Sequence, residues 1–565
     1  MNKSILSKIS LAIFASVLVV AFSSNAWAGA TIQINNINAA GVGFNDPTPA
    51  APVGGNPGTT LGAQRLFAFT YAANIWGSTI DSPVPIVINA SFEPLGTNVL
   101  GSAGATFIFS DFGSVGLFPG PEFPLTWYGS ALADKRAGAD LNPGAADIRA
   151  RFSSQFNFYL GVDNNHGALN DLVTVLLHEF AHGLNFQNFA NVSTGVNPAN
   201  QTDIYERHTL DTSNGLYWDE MTDAQRQASA LRYGKIVWDG ANVTVDVPSV
   251  LSFGSPEVRV LTPSAIAGLY QFGTAAFGPP ISNPGVTATI VPAQDAANAA
   301  GPSTTDGCTA FTNAAAVAGK IALVERGTCG FAVKARNATN AGAVGVIIYN
   351  NAANAAAAPP GMADDGINGA FVTIPAVSVN RDDGLAFVAN PGLTAKLSVD
   401  PTIRAGTTAG LVRLYAVKPV APGSSISHYD TIASRNLLME PAINPDLTHS
   451  VKPPEDLTLN LLRDVGWFPD ADNDGVADNA DCEPNSDLSP TVVVAGCDSG
   501  VPNLMFAGGC TLSDRIAHIA AASTKNHGTF VKNAQVLLNE LKKNGTITAA
   551  QKDALSTCIG ASNNP

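Results

Sequence analysis

Charge is scarce in this chain. Only 13% of its 565 residues are Asp, Glu, Lys or Arg, against about 25% in an average soluble domain. What charge there is leans one way, with 30 basic and 45 acidic side chains for a net of −15. That balance argues against nucleic acid or an anionic membrane as a partner. Beyond residue 28 no stretch is apolar enough to span a bilayer, so no transmembrane anchor is expected. Cysteine is limited to six residues, none in C-x-x-C spacing, which leaves a cysteine-rich zinc site without support.

Glycine (53) and proline (36) are plentiful instead, the mark of many turns and short strands. The length suffices for several domains, each with its own core. Residues 1–28 read as a secretory signal: Lys3 and Lys8, an apolar stretch from Leu11 to Phe22, then Ala26-Trp27-Ala28. The mature chain is therefore expected outside the cytoplasm, secreted or held in the periplasm or at the cell surface. Its cysteines fit an oxidising compartment. They fall in three neighbouring pairs, Cys308 with Cys329, Cys482 with Cys497 and Cys510 with Cys558. Local pairing is the expectation, with other connectivities open.

Chemistry concentrates in residues 171–186. Leu172, Val173, Leu176 and Phe180 recur at helical spacing and mark a core helix. His178-Glu179-Phe180-Ala181-His182 is the H-E-x-x-H pattern of zinc peptidases. Residues four apart share a helix face, so both imidazoles can reach one tetrahedral metal. Glu179, one step along, is placed to take a proton from a metal-activated water. Two histidines leave the ligand set incomplete, and two routes to a third ligand are open. A downstream carboxylate could serve, as in the thermolysin-like group, with Glu206 nearest and His208 in the same stretch. Alternatively a long insertion separates the ligands.

The metzincin pattern H-E-x-x-H-x-x-G-x-x-H wants Gly at 185 and His at 188; this chain has Asn185 and Asn188. Asn tolerates the left-handed backbone better than other non-glycine residues, so the turn can survive. Much later, Ser427-His428-Tyr429-Asp430 precedes Leu437-Leu438-Met439-Glu440-Pro441. Together with the H-E-x-x-H helix, this stretch resembles leishmanolysin, a metzincin whose third histidine is displaced by an insertion and followed by a Met-turn. The resemblance implies zinc on His178, His182 and His428, Glu179 as general base and acid, and Met439 as the floor of the site. Tyr429 becomes a candidate for oxyanion stabilisation, and His449 a further candidate without a pattern behind it. Between 29 and 60 the chain is too short for a folded pro-domain and lacks a cysteine, so latency by a cysteine switch is not expected.

The separation of 246 residues from His182 to His428 can hold a whole domain. Within them, 319–350 reads as strand, helix, Gly stop and strand, a β-α-β unit. These residues resemble the protease-associated (PA) domain, a non-catalytic module inserted in several peptidase families. Substrate selection, covering of the cleft and passive spacing are the roles open to it. Further on, Asp470, Asp472, Asp474, Asp478 and Asp481 place acids at calcium-loop spacing around Gly475. That loop resembles an EF-hand or a thrombospondin type 3 repeat. Residues 510–558 read as a helical unit, with Thr548 and Gln551 forming a capping box.

The expected fold class is α+β. A zincin-like catalytic domain is interrupted by a PA insert and followed by a calcium loop and a small disulfide-tied helical domain. The expected divisions are 1–28, 29–255, 256–415, 416–469, 470–500 and 501–565. Strands are expected at 31–35, 86–90, 105–110 and 148–154, the last either an exposed edge that pairs with extended substrate or an ordinary interior strand. The expected activity is zinc-dependent endopeptidase, with Zn2+ and structural Ca2+ as cofactors and a protein or peptide as substrate. The alternatives are Glu206 as third ligand, or an inactive extracellular binding or adhesion protein on a peptidase fold.

Overall fold

The computed structural model describes residues 29–115, 120–468, 481–506, 508–523 and 526–562. The secretory signal at 1–28 and Asp470, Asp472, Asp474 and Asp478 of the acidic loop lie outside the described residues.

Four strands form the first sheet, in the order Ile32–Asn36, Ile86–Glu93, Ile148–Ser153, Gly101–Ala105. The first three run parallel and the last antiparallel. Ile86, Ile88, Ala90 and Phe92 alternate along their strand and are all buried, the period-two pattern of a sheet with one face on the core. Two helices cover that face, Leu61–Thr79 and Leu172–Gly183. The Phe69 ring lies edge-on 4.9 Å from Phe152 and 5.9 Å from Phe180. Trp76 Nε1 donates to Leu177 O at 3.1 Å. The second helix is buried along its whole length, as a helix with apolar residues all round must be.

Two strand expectations change. Ile148–Ser153 is not an edge; it pairs with Ile86–Glu93 on one side and Gly101–Ala105 on the other. Its Ile148, Ala150 and Phe152 are fully buried, which suits an interior strand. The edge strand beside it is Gly101–Ala105, built only from Gly, Ser and Ala. Within 105–110, Ala105 ends that edge strand and Ile108–Phe109 forms a separate one, paired with Tyr128–Gly129.

A second sheet joins chain from both sides of the insertion. Val237 and Trp238 pair antiparallel with Arg413 and Val412, and Leu414 N donates to Ile236 O at 2.9 Å. Between them lies an eight-stranded sheet. Its strands Val286–Pro292, Ile321–Glu325, Gly345–Tyr349 and Ala376–Val379 pair in parallel, and helix Phe331–Asn340 makes the expected β-α-β crossover. Ala322 and Val324 belong to one buried cluster, Ile321 and Leu323 to another. The sheet is therefore buried on both faces, the condition for parallel strands.

The last described unit combines a hairpin, Thr491–Val494 with Cys497–Pro502, and helices Leu512–Ala522, His527–Lys543 and Ala549–Ala561. Val492, Val494 and Val501 share a core with Phe530, Leu538 and Leu555, so the unit reaches back at least to Thr491. The capping box holds: Gln551 N donates to Thr548 Oγ1 and Thr548 N to Gln551 Oε1. Disulfide pairing departs from local order. Cys308–Cys329 is as expected, but the other bonds are Cys482–Cys510 and Cys497–Cys558. The hairpin sets this by laying its second strand, which starts at Cys497, against the last helix, which carries Cys558 at a Cα distance of 5.4 Å. The three bridges fit an oxidising compartment, and no helix among the described residues is long and apolar enough to cross a membrane.

Beneath the first sheet, Asp134 and Asp147 share a buried site. Asp134 Oδ1 accepts from Leu141 N at 3.0 Å and Asp147 Oδ2 from Val87 N at 2.8 Å. Burial, with proton sharing from Asp147, pushes the Asp134 carboxyl up to about 7. A folded pKa above the unfolded one gives stability that is complete below about pH 4 and lost as pH rises through about 7. Asp134→Asn keeps the acceptor for Leu141 and offers Asp147 an N–H. Urea midpoints of the variant and wild type should match or favour wild type at pH 5 and favour the variant at pH 9; a gap that stays constant with pH would contradict the shared proton.

Candidate metal centre

The side chains of His178, His182 and His428 meet at the bottom of a cleft. Their Nε2 atoms form a triangle with every side 3.2 Å. Each Nδ1 lies within hydrogen-bonding reach of a backbone carbonyl: His178 of Leu438 O at 2.7 Å, His182 of Phe186 O at 2.7 Å, His428 of Ser424 O at 2.9 Å. A carbonyl can only accept, so each Nδ1 carries the proton and each Nε2 presents a bare lone pair. Burial pushes His178 down to about 4; burial and then the neighbouring His178 push His182 down to about 3. His428 is held well below its usual value by burial first and the other two rings second. Three neutral imidazoles with converging lone pairs repel one another unless a cation stands between them. Tetrahedral zinc with Zn–N bonds of about 2.0–2.1 Å requires N···N edges of about 3.3 Å, and the triangle fits. Among the described residues this is the one group of three or more His, Cys, Asp or Glu whose ligand atoms converge in this way.

Glu179 is buried beside the histidines, and burial pushes its carboxyl up to about 8, with the Ala103 amide opposing. A cation at the triangle would draw it back down, since an opposite charge favours the ionised form. The Ala103 amide belongs to the edge strand. That strand passes so close that a Cβ on Gly101 would stand 3.0 Å from Glu179 Cγ and from the Phe152 ring. Strand, helix and loops enclose a cleft of about 840 Å³ that contains His178, Glu179, His182 and His428. The strand Gly101–Ala105 borders it on one side, Asn188 and 190–193 on another, and the segments 422–425 and 441–443 close it.

Local bonds explain how these loops hold. Asn185 takes the turn after the helix with φ 84°, the left-handed conformation expected there. Its Oδ1 accepts from Gly129 N at 2.6 Å, a bond glycine could not make. Asn188 N donates to Ser427 Oγ at 3.1 Å, tying this loop to the neighbour of His428. The turn 437–440 is pinned by two buried carboxyls not singled out from the sequence. Asp456 Oδ2 accepts from Leu438 N at 2.7 Å and Glu440 Oε1 from Leu437 N at 2.8 Å. Met439 is fully buried and its carbonyl accepts from Tyr429 N at 2.8 Å.

Other candidates fall elsewhere. Glu206 lies outside the histidine group. Its Oε2 accepts from Asn197 Nδ2 at 2.7 Å and Thr202 Oγ1 at 2.6 Å, with Arg226 3.9 Å from Oε1, so the route through a Glu206 ligand does not fit. His208 packs its ring on Trp238, centroids 5.1 Å apart. Tyr429 points away from the cleft: its ring packs on Phe186 and its OH donates to Leu457 O at 3.3 Å. Although Tyr429 follows His428 directly, its side chain is fully buried in the core, which removes it as an oxyanion donor. His449 serves the other end of the helix, 2.6 Å from Oδ2 of Asp171, the N-cap that also accepts from Thr174 N. Asp481 Oδ1 accepts from Glu483 N at 2.9 Å.

Comparison with known proteins finds a PA domain at residues 286–387. An aminopeptidase of Pseudomonas aeruginosa is 41% identical over 123 residues, 20% of this chain and 21% of that one. The C5a peptidase of Streptococcus pyogenes is 33% identical over 131 residues, covering 23% of this chain and 9% of that protein. Among solved structures, BSAP, a zinc aminopeptidase from Bacillus subtilis, aligns with TM-score 0.20 and 24% identity over 28% of this chain and 36% of that one. The chain thus spans only about a fifth of the length of the Pseudomonas relative. It carries a PA domain and is locally similar to bacterial peptidases, an aminopeptidase among them. None of these three proteins is a leishmanolysin.

Asn185 tests the architecture directly. Asn185→Ala loses the Gly129 bond and adds a Cβ-bearing residue that resists positive φ, so it should cost about 2–3 kcal/mol; Asn185→Gly loses only the bond, about 1 kcal/mol. Chemical unfolding of the three proteins should rank them wild type, Gly, Ala, and an Ala variant as stable as wild type would refute the role given to this turn.

Proposed function

We propose that the protein is a zinc-dependent peptidase that cuts within polypeptide chains. Its peptidase part comprises residues 29–255 and 416–469 in a metzincin-like arrangement, interrupted by the PA insert at 256–415. His178, His182 and His428 hold the zinc through Nε2. What carries this is the 3.2 Å triangle of Nε2 atoms whose Nδ1 partners are all backbone carbonyls. Zinc bound there supplies a Lewis acid for a carbonyl oxygen and lowers the pKa of water.

The chain's own residues do the rest. Glu179, ionised beside a cation, takes a proton at its carboxylate and later gives it to the leaving amine. The edge strand Gly101–Ala105 offers backbone groups for pairing with an extended peptide, and its small side chains leave that approach open. Apart from Glu179, no carboxylate lines the cleft among the described residues, so no second negative charge is there to pair with a free α-ammonium. This favours internal bonds over the amino-terminal ones implied by the aminopeptidase relatives. The acidic loop 470–481 is proposed as a structural calcium site on its sequence spacing, and the leader at 1–28 as the export signal.

Metal analysis of purified protein should find near-stoichiometric zinc in wild type and Glu206→Gln, and little in His428→Ala. Glu179→Gln should keep its zinc and lose about 10²–10⁴-fold in kcat/KM on unfolded casein. Peptides blocked at both ends should be cleaved as well as free ones. A zinc-loaded wild type that cleaves neither casein nor peptides, indistinguishable from Glu179→Gln, would support a binding protein on a peptidase fold instead.

A further inference from the structure

The insert joins the peptidase part through one antiparallel strand pair, Phe253–Thr262 with Thr394–Arg404. A two-strand stalk can pivot unless it is fastened at a second point. Such a point exists at Lys418, well past the stalk. Gln271 of the insert accepts the Lys418 backbone N–H through Oε1 at 3.1 Å. The Lys418 ammonium lies 3.0 Å from Asp382 Oδ2, in the first turn of helix Arg381–Val388. Gln271 stands between two anchored residues. Tyr270 sets its ring edge on Phe387 at 4.9 Å and donates its OH to Ile266 O at 2.7 Å; Phe272 packs against the insert's core.

Lys418 also begins the segment that forms one lip of the cleft, where Val420, Ser424 and Ser425 line the cavity. Inside the lip, Ser424 N and Ser425 N donate to Ala421 O, and Ala421 N donates to Ser425 Oγ. At its far end Ser424 O accepts the His428 Nδ1–H at 2.9 Å. The lip is thus tied to the insert at one end and to the third histidine at the other. We infer that Gln271 and Lys418 form a clasp through which the inserted domain positions the lip and thereby sets how tightly the cleft takes a peptide. Gln271 is the positioning residue. The Lys418–Asp382 pair is exposed on both sides and contributes little by itself.

The peptide-affinity part of this inference rests on the proposed peptidase reading; the clasp itself does not. The test uses the full-length, zinc-loaded chain as wild type, Gln271→Ala and Gln271→Glu, the last keeping an acceptor oxygen for Lys418 N–H. Amide exchange across 415–428 should be about fivefold faster in Gln271→Ala, the loss expected for one hydrogen bond, with helix 172–183 unchanged. KM for fluorescent casein should rise by about the same factor with kcat and zinc content held, and Gln271→Glu should restore both readings. Unchanged exchange in 415–428 overturns the clasp, as does a faster exchange that Gln271→Glu fails to restore. Faster exchange with KM unmoved overturns its role in affinity. A wild type that cleaves nothing defeats the peptidase reading and the affinity role with it, and exchange alone then decides the clasp.

Discussion

The antiparallel pairing of Val237 and Trp238 with Arg413 and Val412 governs whether a site forms at all. Before it, the chain has two histidines on one helix; after it, a third arrives from 246 residues away. Trp238 reinforces the junction by donating its indole N–H to Asp464 at 2.8 Å, and Asp464 in turn accepts from Asn242 N. From Leu414 the chain forms a tight return, with Tyr415 N donating to His428 O and Ile426 N to Tyr415 O. Strand pairing therefore places His428 to within the tolerance of a metal ligand, without help from sequence neighbourhood.

Orientation is a separate problem from placement, and backbone carbonyls solve it three times. Leu438, Phe186 and Ser424 come from three different loops, yet each fixes one imidazole tautomer. Partners of this kind orient metal-binding histidines and raise their basicity. Each loop is itself held: the turn 437–440 by Asp456 and Glu440, the turn at 185 by Gly129, the lip at 424 by its own hydrogen bonds and by Gln271 through Lys418. Burial does the electrostatic part, keeping the histidines neutral.

Much of this was legible in the sequence where function and local pattern coincide. The helix 172–183 announces itself by apolar spacing, the β-α-β unit by its strand–helix–strand rhythm, and Asn185 by the turn it replaces. His178 and His182 stand in the H-E-x-x-H motif, whereas His428 is reached only through the resemblance to leishmanolysin. What was hidden depends on long-range pairing. Gly101–Ala105 has neither β-branched residues nor alternation, so nothing local marks it as the edge, while Ile148–Ser153 looks like a strand without showing how many neighbours it has. Disulfide partners follow the hairpin and not sequence order. Tyr429 and His449 draw attention as polar residues near a motif, yet one faces the core and the other holds the N-cap residue of a helix. Asp456 and Glu440 drew none, because a lone buried acid has no signature.

The two ends of the insert lie side by side, Phe253 opposite Arg404, and this changes the entropy of building the site. A floppy loop of roughly 170 residues between the paired strands would be costly to close, whereas a folded module with adjacent ends leaves an effective loop of roughly 25 residues, saving roughly 2 kcal/mol. The insert's parallel core strands make it a unit that can form before the ligands meet. Its earliest contribution to the site would then be made during folding, as a spacer that has already surrendered its freedom when the third histidine arrives.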